Sequence, residues 1–274
     1  MGLANAMTRP VAVVLAGGLG TRMRRPAAVS LRPDQAAVAD QGLKAMIPVG
    51  RPFLDFVLDS LANAGVAEVG IVVGPEHDLI RRRYQDELHP ERLTIRFAIQ
   101  RDPRGTADAV LAAEAFVAGR PFLVVNADNL YPVTALARLV EADGPALIGY
   151  RRDALIEDGN IDAERIARFA LVWSDAAGRL ARIVEKPDPA LAGDPTALVS
   201  MNSWRFSPAI FDAARAIAPS VRGELELQDA VRWAVERAGV SFEVIPFVGG
   251  VLDLSSRADI ESVAERLAGV EVRL

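Results

Sequence analysis

Val11–Ala16 (VAVVLA), Glu68–Val73 (EVGIVV) and Phe122–Asn126 (FLVVN) are apolar along nearly their whole length, without the in–out alternation of a half-exposed strand. A strand of this kind needs cover on both faces, which parallel sheets obtain from helices packed above and below. The segments between have helical spacing. Phe53–Ala64 ends at Gly65, a polar helix is expected near Glu76–Gln85, alanine-rich Thr106–Ala118 stops at Gly119, and Val133–Ala142 is a further helix. With a strand at Leu93–Ile99, this alternation predicts an α/β fold around a mostly parallel sheet flanked by helices.

The second part of the chain changes character. Phe169–Trp173 and Leu180–Glu185 read as a hairpin over the polar turn Asp175–Gly178, and Leu198–Phe206 as another strand. Helices are expected near Pro208–Ile217 and Leu225–Ala238, a strand at Phe242–Phe247, and a closing helix at Asp259–Leu267. The expected organisation is one domain, 1–274, with halves 10–150 and 151–274. Arg24–Gly42 is the least structured stretch, and a loop that long inside a compact domain is usually functional or mobile.

The net charge of −5 gives no basic field for nucleic acid, so an anion site must be built from a few placed cations. The absence of cysteine excludes disulfides, thiolate metal sites and cysteine nucleophiles. MGLANAMTRP has no apolar core of a secretory signal, and no run of 18 apolar residues occurs, so the expected setting is the cytoplasm, with no membrane partner.

The strand at Val11 runs into Gly17, Gly18, Gly20, Thr21 and Arg22. Ligands of open α/β sheets sit beyond the carboxyl ends of the strands. Glycines there let backbone N–H groups approach phosphate oxygens, and arginine adds a fork of donors. A plain glycine turn with a solvent-facing arginine is the other reading, and the spacing matches neither the dinucleotide fingerprint nor the Walker loop. Gln100 can pair with a base edge, or simply end a strand, and Thr106 can cap a helix. Asp128, at a strand's carboxyl end, suits Mg²⁺. His77 and His89 lie in polar surroundings and are expected at the surface.

LAGGLGTRM, followed downstream by Lys44 in GLKAMIPVG, resembles the signature of the sugar-1-phosphate nucleotidyltransferases. The resemblance covers about residues 10 to 265 and implies a Rossmann-like sheet with a smaller mixed-β sugar-binding part. The implied activity joins a nucleoside triphosphate to a sugar 1-phosphate and releases pyrophosphate. In this family pattern Leu15, Ala16, Gly17, Gly18, Gly20 and Thr21 hold the nucleotide, and Arg22 and Lys44 the departing pyrophosphate. Gln100, Gly105 and Thr106 fall on the segment that reads the base. Asp128 and Asp253 fall on the two Mg²⁺ ligands. Glu185-Lys186-Pro187 matches an E-K-P motif, with Glu185 on sugar hydroxyls and Lys186 on the sugar phosphate. Asn202 lies in the family's N-x-G segment and Ala170 in its tyrosine-glycine pair, with Trp204 and Ala170 replacing the glycines. Arg222-Gly-Glu224-Leu-Glu226-Leu resembles the family's acidic leucine segment.

Residues 10–150 then form the nucleotide half and 151–274 the sugar-phosphate half. The pattern favours UTP or dTTP with glucose 1-phosphate. An adenylyl- or guanylyltransferase for another sugar or cyclitol phosphate, and a catalytically silent regulatory homologue, stay open. Homo-oligomers are common among such proteins, so a homo-oligomer is expected, and the fused hexapeptide-repeat domain of some relatives is not expected here.

Overall fold

The computed structural model describes residues 10–274; the N-terminal stretch read for a secretory signal lies largely outside them. Eleven strands are present among the described residues. They are β1 (Val11–Leu15), β2 (Glu68–Val73), β3 (Thr94–Ile99), β4 (Phe122–Asn126), β5 (Asn129–Leu130), β6 (Ala146–Tyr150), β7 (Ala170–Ser174), β8 (Leu180–Val184), β9 (Leu198–Phe206), β10 (Glu243–Phe247) and β11 (Leu252–Asp253). Nine form one sheet, in the order β10-β6-β9-β4-β1-β2-β3, with the β7–β8 hairpin attached to β9. The pairs β1–β2, β2–β3, β1–β4 and β6–β10 are parallel, and β9 runs antiparallel between β4 and β6. The main path is therefore mostly parallel.

The continuous apolar strands are covered on both faces. In β1, Ala12 and Val14 pack into one core, and Val11 and Val13 into the other. In β4, Leu123 and Val125 join the first core, and Phe122 and Val124 the second. Helices Phe53–Asn63 and Val133–Glu141 cover the first face, and Thr106–Ala112, Ala209–Ala216 and Leu227–Ala238 the second. Asp55, fully buried in the first of these helices, is structural: it accepts from Arg51 Nε (2.8 Å), Arg83 Nε (3.0 Å) and Tyr84 OH (2.6 Å).

Several sequence expectations need correction. The stretch at 24–42 contains a nine-residue helix, Pro33–Gln41. Pro33 occupies its first turn, Gln35 accepts from the Arg32 N–H at 3.2 Å, and Gly42 ends it at φ 75°. β6 and the short helices Arg152–Glu157 and Ala163–Ile166 fall where no element was expected. The helix expected over 106–118 breaks at Ala113 into two. His77 is buried, because its Nδ1 accepts from the Gly74 N–H at 3.2 Å.

Candidate active site

The chain leaves β1 for β2 and β3 on one side, then returns to β4 on the other flank of β1. That reversal opens a crevice at the carboxyl ends of β1 and β4, where α/β sheets bind ligands. A cleft of about 380 Å³ occupies it. Leu15, Ala16, Gly17, Gly18, Gly20 and Thr21 line it from the end of β1, together with Arg22. Lys44 enters from the turn after the 33–41 helix, Gln100, Gly105 and Thr106 from beyond β3, and Asp128 from beyond β4.

Lys44 Nζ lies 2.8 Å from Asp128 Oδ2, with both side chains partly exposed. Asp253 reaches Asp128 through the small β5–β11 pair, in which Asp253 faces Asn129 and the Leu254 N–H donates to the Asp128 carbonyl at 2.9 Å. Its backbone is clamped by Asn160, whose Nδ2 donates to the Asp253 carbonyl (2.9 Å) while Oδ1 accepts from the Asp253 N–H (2.7 Å). Burial, and then the nearby Asp128 charge, push the Asp253 carboxyl above the usual range. Arg165 Nη2 stands 2.9 Å from Asp253 Oδ1 without hydrogen-bond alignment, while its Nη1 bonds Asp259.

These carboxylates pass a simple fit test for a divalent cation. Asp253 Oδ1 is buried with no hydrogen-bond partner, and a second carboxylate stands close to it. Among the described residues no three acidic or imidazole side chains converge. Two carboxylates suit a hard ion that draws the rest of its shell from phosphate and water, as Mg²⁺ does.

Gln100 has a fixed polarity. Its Nε2 donates to the Gly105 carbonyl (3.1 Å) and to Asp108 Oδ2 (2.9 Å), groups that can only accept. Arg104 Nε holds Asp108 from behind at 3.1 Å. A flipped amide would set oxygen against oxygen, so Oε1 is held on the other side, over Gly17, where an added Cβ would stand 3.0 Å away. Thr106 Oγ1 accepts from the Leu227 N–H at 2.9 Å and so caps the helix Leu227–Ala238.

The remaining expected residues lie outside the cleft lining. Glu185 is close to Glu226, Lys186 and Arg222, and burial and then Glu226 raise its carboxyl above the usual value. Arg222 pairs with Glu224, which lines the cleft, and with Glu226. Ala170 faces Ser200 across β7–β9. Asn202 is left-handed at φ 56°, and its Oδ1 accepts from Gln228 Nε2 at 2.9 Å. Asparagine is one of the few non-glycine residues that visit this region readily, whereas Trp204, at the place of the glycine in the N-x-G pattern, has no positive φ. Trp204 is buried against Phe206 and Phe242 in the second core.

Asp108, Asn160 and Arg165 were not singled out in the sequence. For Asn160 and Arg165 no local signal exists, because their partners lie more than 90 residues away.

The sequence profile of the nucleotidyl transferase family matches residues 11–246. The chain is 30% identical to the UTP–glucose-1-phosphate uridylyltransferase AglF of Haloferax volcanii, over 93% of this chain and 96% of that one. It is 31% identical to a glucose-1-phosphate thymidylyltransferase of Streptomyces griseus over 82% of this chain, spanning 57% of that relative's length. A crystal structure of UDP-glucose pyrophosphorylase complexed with UDP-glucose superposes with a TM-score of 0.75 at 18% identity, covering 96% of this chain and all of that one.

Proposed function

Since the chain belongs to the sugar-1-phosphate nucleotidyltransferases, we propose that it joins UTP or dTTP to glucose 1-phosphate, giving the nucleoside diphosphate sugar and pyrophosphate. One observation carries this reading. A single cleft at the β1–β4 crevice gathers the glycine run, Arg22, Lys44, Gln100 and Asp128.

The acceptor is already an anion, so no general base is needed. An oxygen of the sugar phosphate attacks the α-phosphorus in line as the bond to pyrophosphate breaks, and catalysis is positioning and charge neutralisation. The N–H groups of Gly17, Gly18 and Gly20 hold the triphosphate. Arg22 and Lys44 take the charge that develops on the pyrophosphate, and Lys186 that of the incoming phosphate. Thr21 and Thr106 flank the nucleotide. Gln100 Oε1 accepts the ring N–H of uracil or thymine. Glu185, Asn202 and the Ala170 backbone form the sugar side. Asp128 and Asp253 would hold Mg²⁺, which would supply positive charge at the α-phosphate. The proposed setting is the cytoplasm, with a homo-oligomeric assembly.

The lysine usage supports the site. The chain has 31 basic residues, of which 29 are arginine, and its two lysines are Lys44 and Lys186. A chain that uses arginine almost everywhere keeps the compact ammonium at the two positions read as phosphate ligands.

Pyrophosphate release with Mg²⁺, across five nucleoside triphosphates and a panel of sugar 1-phosphates, tests the reaction. Release confined to UTP or dTTP with glucose 1-phosphate supports it, and release only with CTP or ATP would overturn the base assignment. Labelling with pyridoxal phosphate and borohydride tests the site. Modification is expected at Lys44 and Lys186, with nucleotide shielding Lys44. Equal labelling of Lys44 with and without saturating nucleotide would count against its role.

A further inference from the structure

The insert between Arg22 and Lys44 touches the cleft only through Gly42 and Leu43, yet both cations stand at its ends. Arg22 lies in the short helix Thr21–Arg24 that enters it, and Lys44 starts the 3-10 turn Lys44–Met46 that leaves it. A segment of this length has an entropic cost of closure, so its ends stay together only if something holds them.

Three contacts do so. Gly20 and Gly42 meet backbone to backbone: a Cβ on Gly20 would stand 2.0 Å from the Gly42 carbonyl oxygen, and one on Gly42 2.7 Å from that of Leu19. Arg24 donates to the Gln41 carbonyl from Nε (3.2 Å) and Nη2 (2.9 Å). The third contact comes from the far end of the chain. Arg257 Nε donates to the Met23 carbonyl at 2.8 Å, and its Nη2 pairs with Asp40. Met23 lies where the insert begins and Asp40 near the end of its helix, so one guanidinium grips both ends. The Arg257 side chain is only 12% exposed, and its fork reaches two acceptors that one lysine ammonium could not hold in the same way.

Arg257 also sits on the carboxylate side of the site. It follows Asp253 by four residues, in a turn where Asp259 Oδ2 accepts the N–H groups of Ser255 (3.1 Å) and Ser256 (2.7 Å). The turn that follows Asp253 is thereby joined to the segment that delivers Arg22 and Lys44.

We infer that Arg257 is a positioning residue for the pyrophosphate end of the site: it clasps the base of the insert and sets Arg22 and Lys44 against the Asp128–Asp253 pair. The inference rests on the reading of Arg22 and Lys44 as leaving-group ligands.

Arg257→Met and Arg257→Lys test it with two readouts. Amide hydrogen exchange of Arg257→Met is expected to quicken over residues 20–46 while β1, β2 and β4 stay protected. In the reverse reaction with UDP-glucose or dTDP-glucose, its KM for pyrophosphate rises about tenfold while that for the nucleotide sugar stays within about twofold, as for a small misplacement of two ligands. Arg257→Lys falls between. Unchanged exchange over 20–46 overturns the clasp. Loosened exchange with both KM values unmoved, or both raised alike, overturns the positioning role. Wild-type protein inactive with every nucleotide sugar would count against the proposed reaction instead, and the exchange data would then decide the clasp alone.

Discussion

Asp128 stands between a cation and an anion, with Lys44 at 2.8 Å and the Asp253 carboxylate beside it. The Lys44–Asp128 pair is partly exposed, so it contributes at most about 1 kcal/mol to stability. The same carboxylate, as a ligand for a cation on the reacting phosphate, would matter far more to the reaction than to the fold. Asp128→Asn is therefore expected to lose roughly 100-fold or more in turnover with Tm nearly unchanged. Turnover and thermal melts on one preparation check this, and a variant with wild-type turnover would remove Asp128 from the metal assignment. The cleft lining was legible where chemistry is written locally: Gly17, Gly18, Gly20, Arg22 and Asp128 follow strands that the apolar pattern already located, whereas Lys44 follows a helix and was marked only by the family resemblance. It was illegible where a residue acts through a distant partner. Arg165 beside Asp253 belongs to that second kind.

At the scale of elements, segment 222–227 is laid along 104–107. The Leu225 N–H donates to the Arg104 carbonyl (2.7 Å), the Ala107 N–H to the Leu225 carbonyl (2.9 Å), and the Leu227 N–H to Thr106 Oγ1 (2.9 Å). Gly105 permits this contact at φ 123°, since a Cβ there would stand 2.5 Å from the Leu225 carbonyl oxygen. Thr106 therefore caps a helix other than the one it begins. Thr106→Val keeps the shape and loses the acceptor, which should cost about 1 kcal/mol, or roughly 2–4 °C in Tm. Differential scanning calorimetry measures it; an unchanged Tm would mean that the Leu227 N–H finds another acceptor at no cost. The long elements were legible because a core face imposes its period over many residues. The insert helix was not: PDQAAVADQ has no apolar stripe, and it is held by Pro33, Gly42 and long-range arginine bonds. β6 escaped notice because its place is set by distant pairing, with β9 across roughly 50 residues and with β10 across nearly 100.

Across the whole molecule, the cleft exists because β2 and β4 flank β1, and the loops beyond their ends must be held together at that point. His77 is one such tie. Its Nδ1 accepts from the Gly74 N–H just past β2, and the Ala16 backbone just past β1 lies beside its ring. A proton on Nδ1 would face another donor, so the neutral ring is the one that fits. Burial is the largest influence and lowers the His77 pKa below its ordinary 6.5; Glu76 opposes this, and Arg81 and Arg24 add to it. The sign follows from linkage. Above the ordinary value both folded and unfolded chains carry a neutral ring. As pH falls below it, the unfolded chain takes up a proton that the folded chain refuses, so stability falls until the folded ring also titrates. Glu185, with its pKa raised by burial and Glu226, and Asp253, with its pKa raised by burial and Asp128, work the other way, since the folded chain takes up their protons first. Between about pH 7.5 and about pH 5.5 the His77 contribution should thus lower Tm, so His77→Asn, whose Oδ1 can accept from Gly74 without titrating, should lose less Tm over that range than wild type. A His77→Asn profile parallel to wild type would place the acid sensitivity elsewhere and leave His77 as packing alone.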